Sequence, residues 1–338
     1  MGDYHLDCSP SRSHRTKNAW AGRREDDMTE RTTGTKVGII GLGSMGLGMA
    51  KAALAAGLDV AGYDVADAQR DALEAAGGRV GTSAADAAQG AEILVVVVVN
   101  AAQTERILFG EGGSGAGGGA AAGMAPGGVV VSCATMAPAD ARRLAASAEA
   151  AGLLYLDAPM SGGAARASTG ELTFMASGTP AAFDKAKPAV DAMAATVHRL
   201  GDEAGIGASF KMVNQLLAGV HIAAACEAMT FAAKLGLDLA KVYEVITQSA
   251  GNSWMFENRV PHILDADYAP RSAVEIFVKD LGIVADMGRA ERFPTQLAGA
   301  ALQMYLMTSA AGMGRDDDAS VARMIAGVTG VTLPKGED

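Results

Sequence analysis

The hexapeptide Gly41-Leu42-Gly43-Ser44-Met45-Gly46 has the GxGxxG spacing of a turn that cradles a pyrophosphate, and it lies between a short apolar strand and a helical run. Gly41 permits the tight turn, Gly43 lets backbone N–H groups approach a diphosphate, and Gly46 lets helix and strand pack closely. The whole run Gly41 to Gly46, with Leu42, Ser44 and Met45 between the glycines, is a candidate cofactor site at a helix N-terminus that favours negative charge. Leu47 and Gly48 follow the third glycine, so the lysine of a nucleoside-triphosphate loop is missing. Asp64 stands eighteen residues beyond Gly46 at the end of a second strand, where a carboxylate accepts hydrogen bonds from the adenosine ribose. It would repel a 2′-phosphate, and Val65 and Ala66 offer no arginine to bind one, so NAD is predicted over NADP. Taken alone, Asp64 reads equally as the start of a turn before Ala66-Asp67.

Two further groups could act on a substrate. Asp157-Ala158-Pro159-Met160-Ser161-Gly162-Gly163 follows a short strand, and successive glycines after a serine can turn several N–H groups toward one anion, such as a carboxylate. On composition it is also an ordinary glycine-rich turn. Lys211 and Asn214 are three apart, on one face of a strongly apolar helix. Phe210, Val213, Leu216, Leu217 and Val220 would desolvate the amine, and a nicotinamide cation would disfavour its charge further, which makes a lysine a base near neutrality. The competing reading is a surface lysine whose head reaches water. Lys279-Asp280 is a second candidate that by itself reads as a solvated charge pair, His221 as a core histidine, and Asp316 to Asp318 as the cap of the last helix.

These residues need a scaffold, and the hydrophobic pattern supplies one. Short apolar strands at Val37–Ile40, Leu58–Tyr63, Ile93–Val99 and Val129–Ser132 alternate with helical runs at Ser44–Ala56, Ala68–Ala76 and Ala139–Ala150. Buried β-branched strands alternating with helices predict an α/β domain, a doubly wound parallel sheet of Rossmann type, over residues 36–200. From 201 to 338 only helical periodicity remains: Ile206–Leu235, Ala240–Ser249, Val278–Arg292, Gln296–Ala310 and Ala319–Val328 predict an all-α domain opened by a long interdomain helix. Residues 110–128, with GGSGAGGGAAAG, read as a surface loop.

The chain has 338 residues, 49% of them hydrophobic, enough for two cored domains. Lys plus Arg number 28 against 38 Asp plus Glu, a net charge of -10 that excludes nucleic acid and anionic membranes as partners. Residues 1–35 hold six acidic and six basic residues without apolar periodicity and are expected to be a disordered arm, within which Met28 offers a later translation start. Glu25, Asp26, Asp27 and Glu30 argue against a transit peptide, and the longest strongly apolar run, Ile93–Val99, is too short for a bilayer, so a soluble cytoplasmic protein is expected. Cys8, Cys133 and Cys226 are scattered and odd in number, and the five histidines are not closely spaced, so neither disulfides nor a metal is expected.

In order, GLGSMG (41–46), Thr135 with Pro138, DAPMSGG (157–163), KMVNQ (211–215) and Lys279-Asp280-Leu281 resemble the β-hydroxyacid dehydrogenases, the family of 3-hydroxyisobutyrate dehydrogenase and tartronate semialdehyde reductase. The resemblance implies that Lys211 is the catalytic lysine, that Ser161, Gly162, Gly163 and Asn214 hold the substrate, and that Asn100, Thr135 and Lys279 contact the cofactor. The stretches VVNAAQT (98–104), QLLAGVHIAA (215–224), GNSWMFENRVPHILDADYAP (251–270) and SAVEIFVKDLGIVAD (272–286) are similar to the L-threonate dehydrogenase branch. That implies NAD-dependent oxidation of a small four-carbon sugar acid by a homodimer or homotetramer. The departures from the family pattern are Met160 for Val, a longer glycine-rich insertion after Gly110, and the extra N-terminal arm.

Overall fold

The computed structural model describes residues 34–111 and 118–335, so the expected arm and the middle of the glycine-rich loop lie almost wholly outside the described residues. Six strands form one parallel sheet in the order β3-β2-β1-β4-β5-β6: β1 (Lys36–Ile40), β2 (Asp59–Tyr63), β3 (Arg79–Val80), β4 (Ile93–Val96), β5 (Val129–Ser132) and β6 (Leu154–Asp157). The crossovers carry α1 (Gly46–Ala55), α2 (Asp67–Ala75), α3 (Ala84–Ala87), α4 (Ala101–Phe109) and α5 (Pro138–Ala150). Side chains alternate between faces. Val37, Ile39, Ile93, Val95, Val129 and Val131 pack with α1 on one side, and Leu94, Val96 and Val130 pack with α4 and α5 on the other. Ile40 pairs with Tyr63 and with Val96, Val96 with Ser132, and Ser132 with Asp157, so these five strands end level with one another. Every loop that follows them opens on one edge, and the strand order reverses between β1 and β4, where such sheets bind ligands.

Strand β4 stops at Val96, short of the expected Val99. The glycine turn packs on the chain there, where a Cβ on Gly41 would stand 2.5 Å from the Val97 carbonyl, and Val99 already gives its N–H to the Gln103 side chain at 2.9 Å. A second sheet, unexpected from the sequence, has the order β7-β8-β9: β7 (Met160–Ser161) runs antiparallel to β8 (Leu172–Ala176), and β9 (Ala194–Arg199) parallel to it. Between them lie α6 (Gly163–Ser168) and α7 (Pro180–Met193), and α7 covers the same face of the main sheet as α1.

From 206 onward the regular structure is helical: α8 (Ile206–Lys234), α9 (Leu239–Thr247), α10 (Trp254–Leu264), α11 (Val274–Ala290), α12 (Gln296–Thr308) and α13 (Val321–Thr329). Helix α8 is long and apolar enough to cross a membrane by length and composition, yet half of its most apolar window is buried inside the fold. It forms the axis of the helical core, with Ile222, Cys226 and Met229 fully buried against α10, α11, α12 and α13. The acidic run before the last helix does more than cap. Asp317 accepts from Ala319 N at 3.1 Å, which caps the short 3-10 turn Asp318–Ser320 and not the last helix, whose N-cap Ser320 makes no side-chain cap; Asp317 also bonds His262 Nδ1 at 2.8 Å, and Asp318 ion-pairs with Arg259 at 2.6 Å. Both carboxylates are fully buried, so this segment staples α10 to α13 rather than facing solvent. His221, expected in the core, is only half-buried.

Candidate active site

The glycine turn leaves β1 at Gly41, whose φ of 91° suits glycine, and α1 begins so close beneath it that a Cβ on Gly46 would lie 1.8 Å from Gly41 O. Above Gly43 the space is open, with nothing within 4 Å of where a side chain would start. The N–H groups of Gly43, Ser44, Met45 and Gly46 have no acceptor among the described residues, and α1 has no side-chain cap. A cradle of unfilled donors at a helix N-terminus fits a diphosphate. Asp64 sits beside it: Oδ2 accepts from Leu42 N at 2.6 Å and Oδ1 from Ala66 N at 2.9 Å, which fixes the carboxylate at the rim of the turn with acceptor capacity to spare. An arginine does approach this strand end. Arg70 reaches back from α2 to donate to Asp64 O at 2.6 Å, and its guanidinium is already paired with Asp67 and set over the Tyr63 ring.

Along the same edge Asn100 caps α4, its side chain accepting from Gln103 N at 2.9 Å. Thr135 follows β5. Lys279, far from a solvated charge, spans the two loops: its Nζ donates to Val99 O at 2.8 Å and to Thr135 O at 3.0 Å, and it ion-pairs with Asp280 at 2.7 Å. One lysine of α11 therefore ties the helical half to the ends of β4 and β5.

Lys211 lies on the buried face of α8 and donates from Nζ to Met160 O at 2.8 Å, fifty-one residues away in sequence and adjacent to Ser161. Burial holds the amine well below its ordinary 10.5, at about 8, against the pull of the Asp280 charge, which raises it, and with the help of Lys279, which lowers it. The surface reading of Lys211 is overturned, since only 8% of it is exposed. The Ser161-Gly162-Gly163 turn beside it takes positive φ at both glycines, 137° and 74°, and runs into the first turn of α6, which has no side-chain cap.

Asn214 is half-buried on the same helix and is oriented by a chain of amides and acids. Its Nδ2 donates to Gln215 Oε1 at 3.0 Å, and Gln215 Nε2 donates to Asp280 Oδ2. Because the carboxylate only accepts, the glutamine must turn its amide toward it and its carbonyl toward Asn214. Spacing did not single out Gln215, and Asp280, expected as half of a solvated charge pair, is 1% exposed. Their signal was present in the buried polar pattern, since Gln215 is four residues from Lys211 on the same face. Among the described residues no group of three His, Cys, Asp or Glu could hold a metal.

Residues 36–201 match the model of the NAD binding domain of 6-phosphogluconate dehydrogenase, and residues 205–325 match the NAD-binding model of NADP-dependent 3-hydroxyisobutyrate dehydrogenase. Fold and family models define an NAD-dependent oxidoreductase. The chain is 48% identical to the L-threonate dehydrogenase of Escherichia coli strain K12 over 87% of its own length and 95% of that protein, and 49% identical to the L-threonate dehydrogenase of Cupriavidus necator over 86% and 96%. A Salmonella typhimurium crystal structure described as 3-hydroxyisobutyrate dehydrogenase superposes with a TM-score of 0.81 at 49% identity, covering 86% of this chain and 99% of that one. The chain belongs to the β-hydroxyacid dehydrogenase family, in its L-threonate dehydrogenase branch.

Proposed function

We propose that the protein oxidises L-threonate at C2 to 2-dehydro-L-erythronate with NAD, using Lys211 as the base. Residues 36–200 form the cofactor domain and residues 201–338 the helical domain that closes over its edge. NAD, when bound, supplies the hydride acceptor; Gly41 to Gly46 cradle its diphosphate, Asp64 takes the ribose, and Asn100, Thr135 and Lys279 border it. Neutral Lys211 accepts the C2 hydroxyl proton as the C2 hydride leaves. The Ser161-Gly162-Gly163 turn holds the substrate carboxylate, and Asn214, its amide aimed by Gln215 and Asp280, orients the hydroxyl. The observation that carries this reading is the dry Lys211 amine, 2.8 Å from the backbone of the residue before that turn.

The test follows NADH formation by absorbance with L-threonate, D-threonate, D-erythronate, 3-hydroxyisobutyrate and glycerate, each with NAD and NADP. Wild type should prefer L-threonate with NAD, and Lys211→Ala should bind NAD normally and lose turnover. A preference for 3-hydroxyisobutyrate, the activity in the Salmonella description, would discard the threonate reading and keep the mechanism. We further propose that the protein is a homo-oligomer. Phe210, Val213 and Leu217 form a stripe on α8 that stays 52%, 63% and 49% exposed.

A further inference from the structure

Helix α8 has no cap of its own. Its N-cap residue is Gly205, with φ of 93° and no side chain to accept the first-turn N–H groups. The acceptors come from the sheet. Asp157, the last residue of β6 and 2% exposed, accepts through Oδ2 from Gly205 N at 2.9 Å and from Ala208 N at 2.8 Å. Ser177, fully buried, accepts from Gly207 N at 2.9 Å and donates to the same Asp157 oxygen at 3.4 Å, while the two residues exchange backbone hydrogen bonds at 2.9 and 2.8 Å. The approach is tight, since a Cβ on Gly207 would sit 2.3 Å from Met175 O.

Three residues beyond Asp157 is Met160, whose carbonyl receives Lys211, and three residues beyond Ala208 is Lys211 itself. One stretch of chain thus grips one face of α8 at two successive points and then becomes the Ser161-Gly162-Gly163 turn. Burial pushes the Asp157 carboxyl up to about 6 despite the N–H groups that favour its charge, so holding an anion there costs stability that a neutral side chain would not. A capping anion at a helix N-terminus recovers part of that cost.

We propose that Asp157, backed by Ser177, is a positioning residue for the reaction: it sets the register of α8 against the substrate turn and thereby holds the Lys211 amine dry at Met160 O. The charges nearest Lys211 are Asp280 and Lys279, both on α11 and untouched by changes at Asp157. Removing the cap therefore reaches Lys211 through the seating of α8 on this stretch of chain and not through its nearest charges.

The inference rests on Lys211 being the base, and the experiment separates the two. Asp157→Ala, Asp157→Asn, Ser177→Ala and Lys211→Ala are compared for kcat, the KM of each substrate, NADH binding by fluorescence, and the pH dependence of turnover. Asp157→Ala should lose about 10- to 100-fold in kcat, the scale set by a misplaced catalytic group, with NADH binding kept. The midpoint of its acid limb should move up toward the ordinary lysine range as water reaches the amine. Asp157→Asn keeps an oxygen for both N–H groups and should retain activity and midpoint within a few-fold of wild type, and Ser177→Ala should shift both in the direction of Asp157→Ala by less. A folded Asp157→Ala with a lowered melting temperature but unchanged kcat and midpoint overturns the proposal, as does an Asp157→Asn variant impaired equally with Asp157→Ala. If Asp157→Ala fails to fold, Ser177→Ala decides, and an unshifted pH profile there counts against it. Normal turnover in Lys211→Ala removes the base whatever Asp157 does; a dead Lys211→Ala beside a normal Asp157→Ala removes this inference alone.

Discussion

A lysine amine kept dry costs stability, and at Lys211 that cost has a definite direction with pH. Its proton affinity falls from 10.5 to about 8 on folding, so between those values the folded chain holds fewer protons than the unfolded one and stability rises with pH. The cost is carried in full below about 8. Lys211→Met, which fills the space without a charge, should therefore be more stable than wild type at pH 7. The gain is about 2 kcal/mol, from roughly 3 kcal/mol of relieved desolvation less roughly 1 kcal/mol for the lost bond to Met160 O. By pH 10.5 the gain should vanish, and urea denaturation at the two pH values measures both ends. A gain of the same size at high pH would show that packing, not the amine, sets it. On the proposal that Lys211 is the base, turnover of the wild type in the oxidising direction should rise with pH toward a plateau with a midpoint near 8, because only a neutral amine accepts a proton.

Among the elements, the buried staple ties α10 to the segment before α13. Asp318 is fully buried and burial pushes its carboxyl up to about 6, with Arg259 as the opposing charge. Arg259→Met strands that charge and should cost about 3 to 5 kcal/mol at pH 8. The folded state then takes up a proton more readily than the unfolded one, so the deficit should be smaller at pH 5, where Asp318 protonates. Equal deficits at the two pH values would assign the loss to the arginine stem. This staple was misread as a simple cap because adjacency to a helix was visible in the sequence and its partners, fifty-five and fifty-nine residues away, were not. The same division runs through the fold. Val37–Ile40, Val129–Ser132 and the α8 run were legible because burial on both faces leaves an unbroken apolar signature. The small sheet escaped: β7 has two residues, and β9 follows α7 without a turn signal. Helix α10 escaped because Pro261 sits inside it. At the site, Gly41 to Gly46, Asp64 and Lys211 announced themselves by spacing or context, whereas Gln215 and Asp280 matter through a hydrogen bond that spans sixty-five residues.

For the whole molecule the question is what covers the open side of α8. Phe210, Val213 and Leu217 recur at i, i+3 and i+7, which is one face, and Asn214 borders that face on the side of Lys211. An exposed apolar stripe of this kind suits a protein contact, and a second copy of the chain is the occupant proposed above. An oligomer built this way would set the partner beside Asn214, at the mouth of the cleft that holds Lys211. Sedimentation velocity at micromolar concentration should then give a dimer or tetramer. The double variant Val213→Glu, Leu217→Glu places two carboxylates in the contact and should sediment as a monomer, because buried unpaired charge opposes association strongly. Its fold should survive, since both side chains face outward. Its kinetics should change unevenly: the KM for the acid rises as the Asn214 side of the site opens to water, and the KM for NAD, set by the glycine cradle after β1, stays. A wild-type chain that sediments as a monomer would end the oligomer reading, and a monomeric variant with an unchanged KM for the acid would place the partner away from the site.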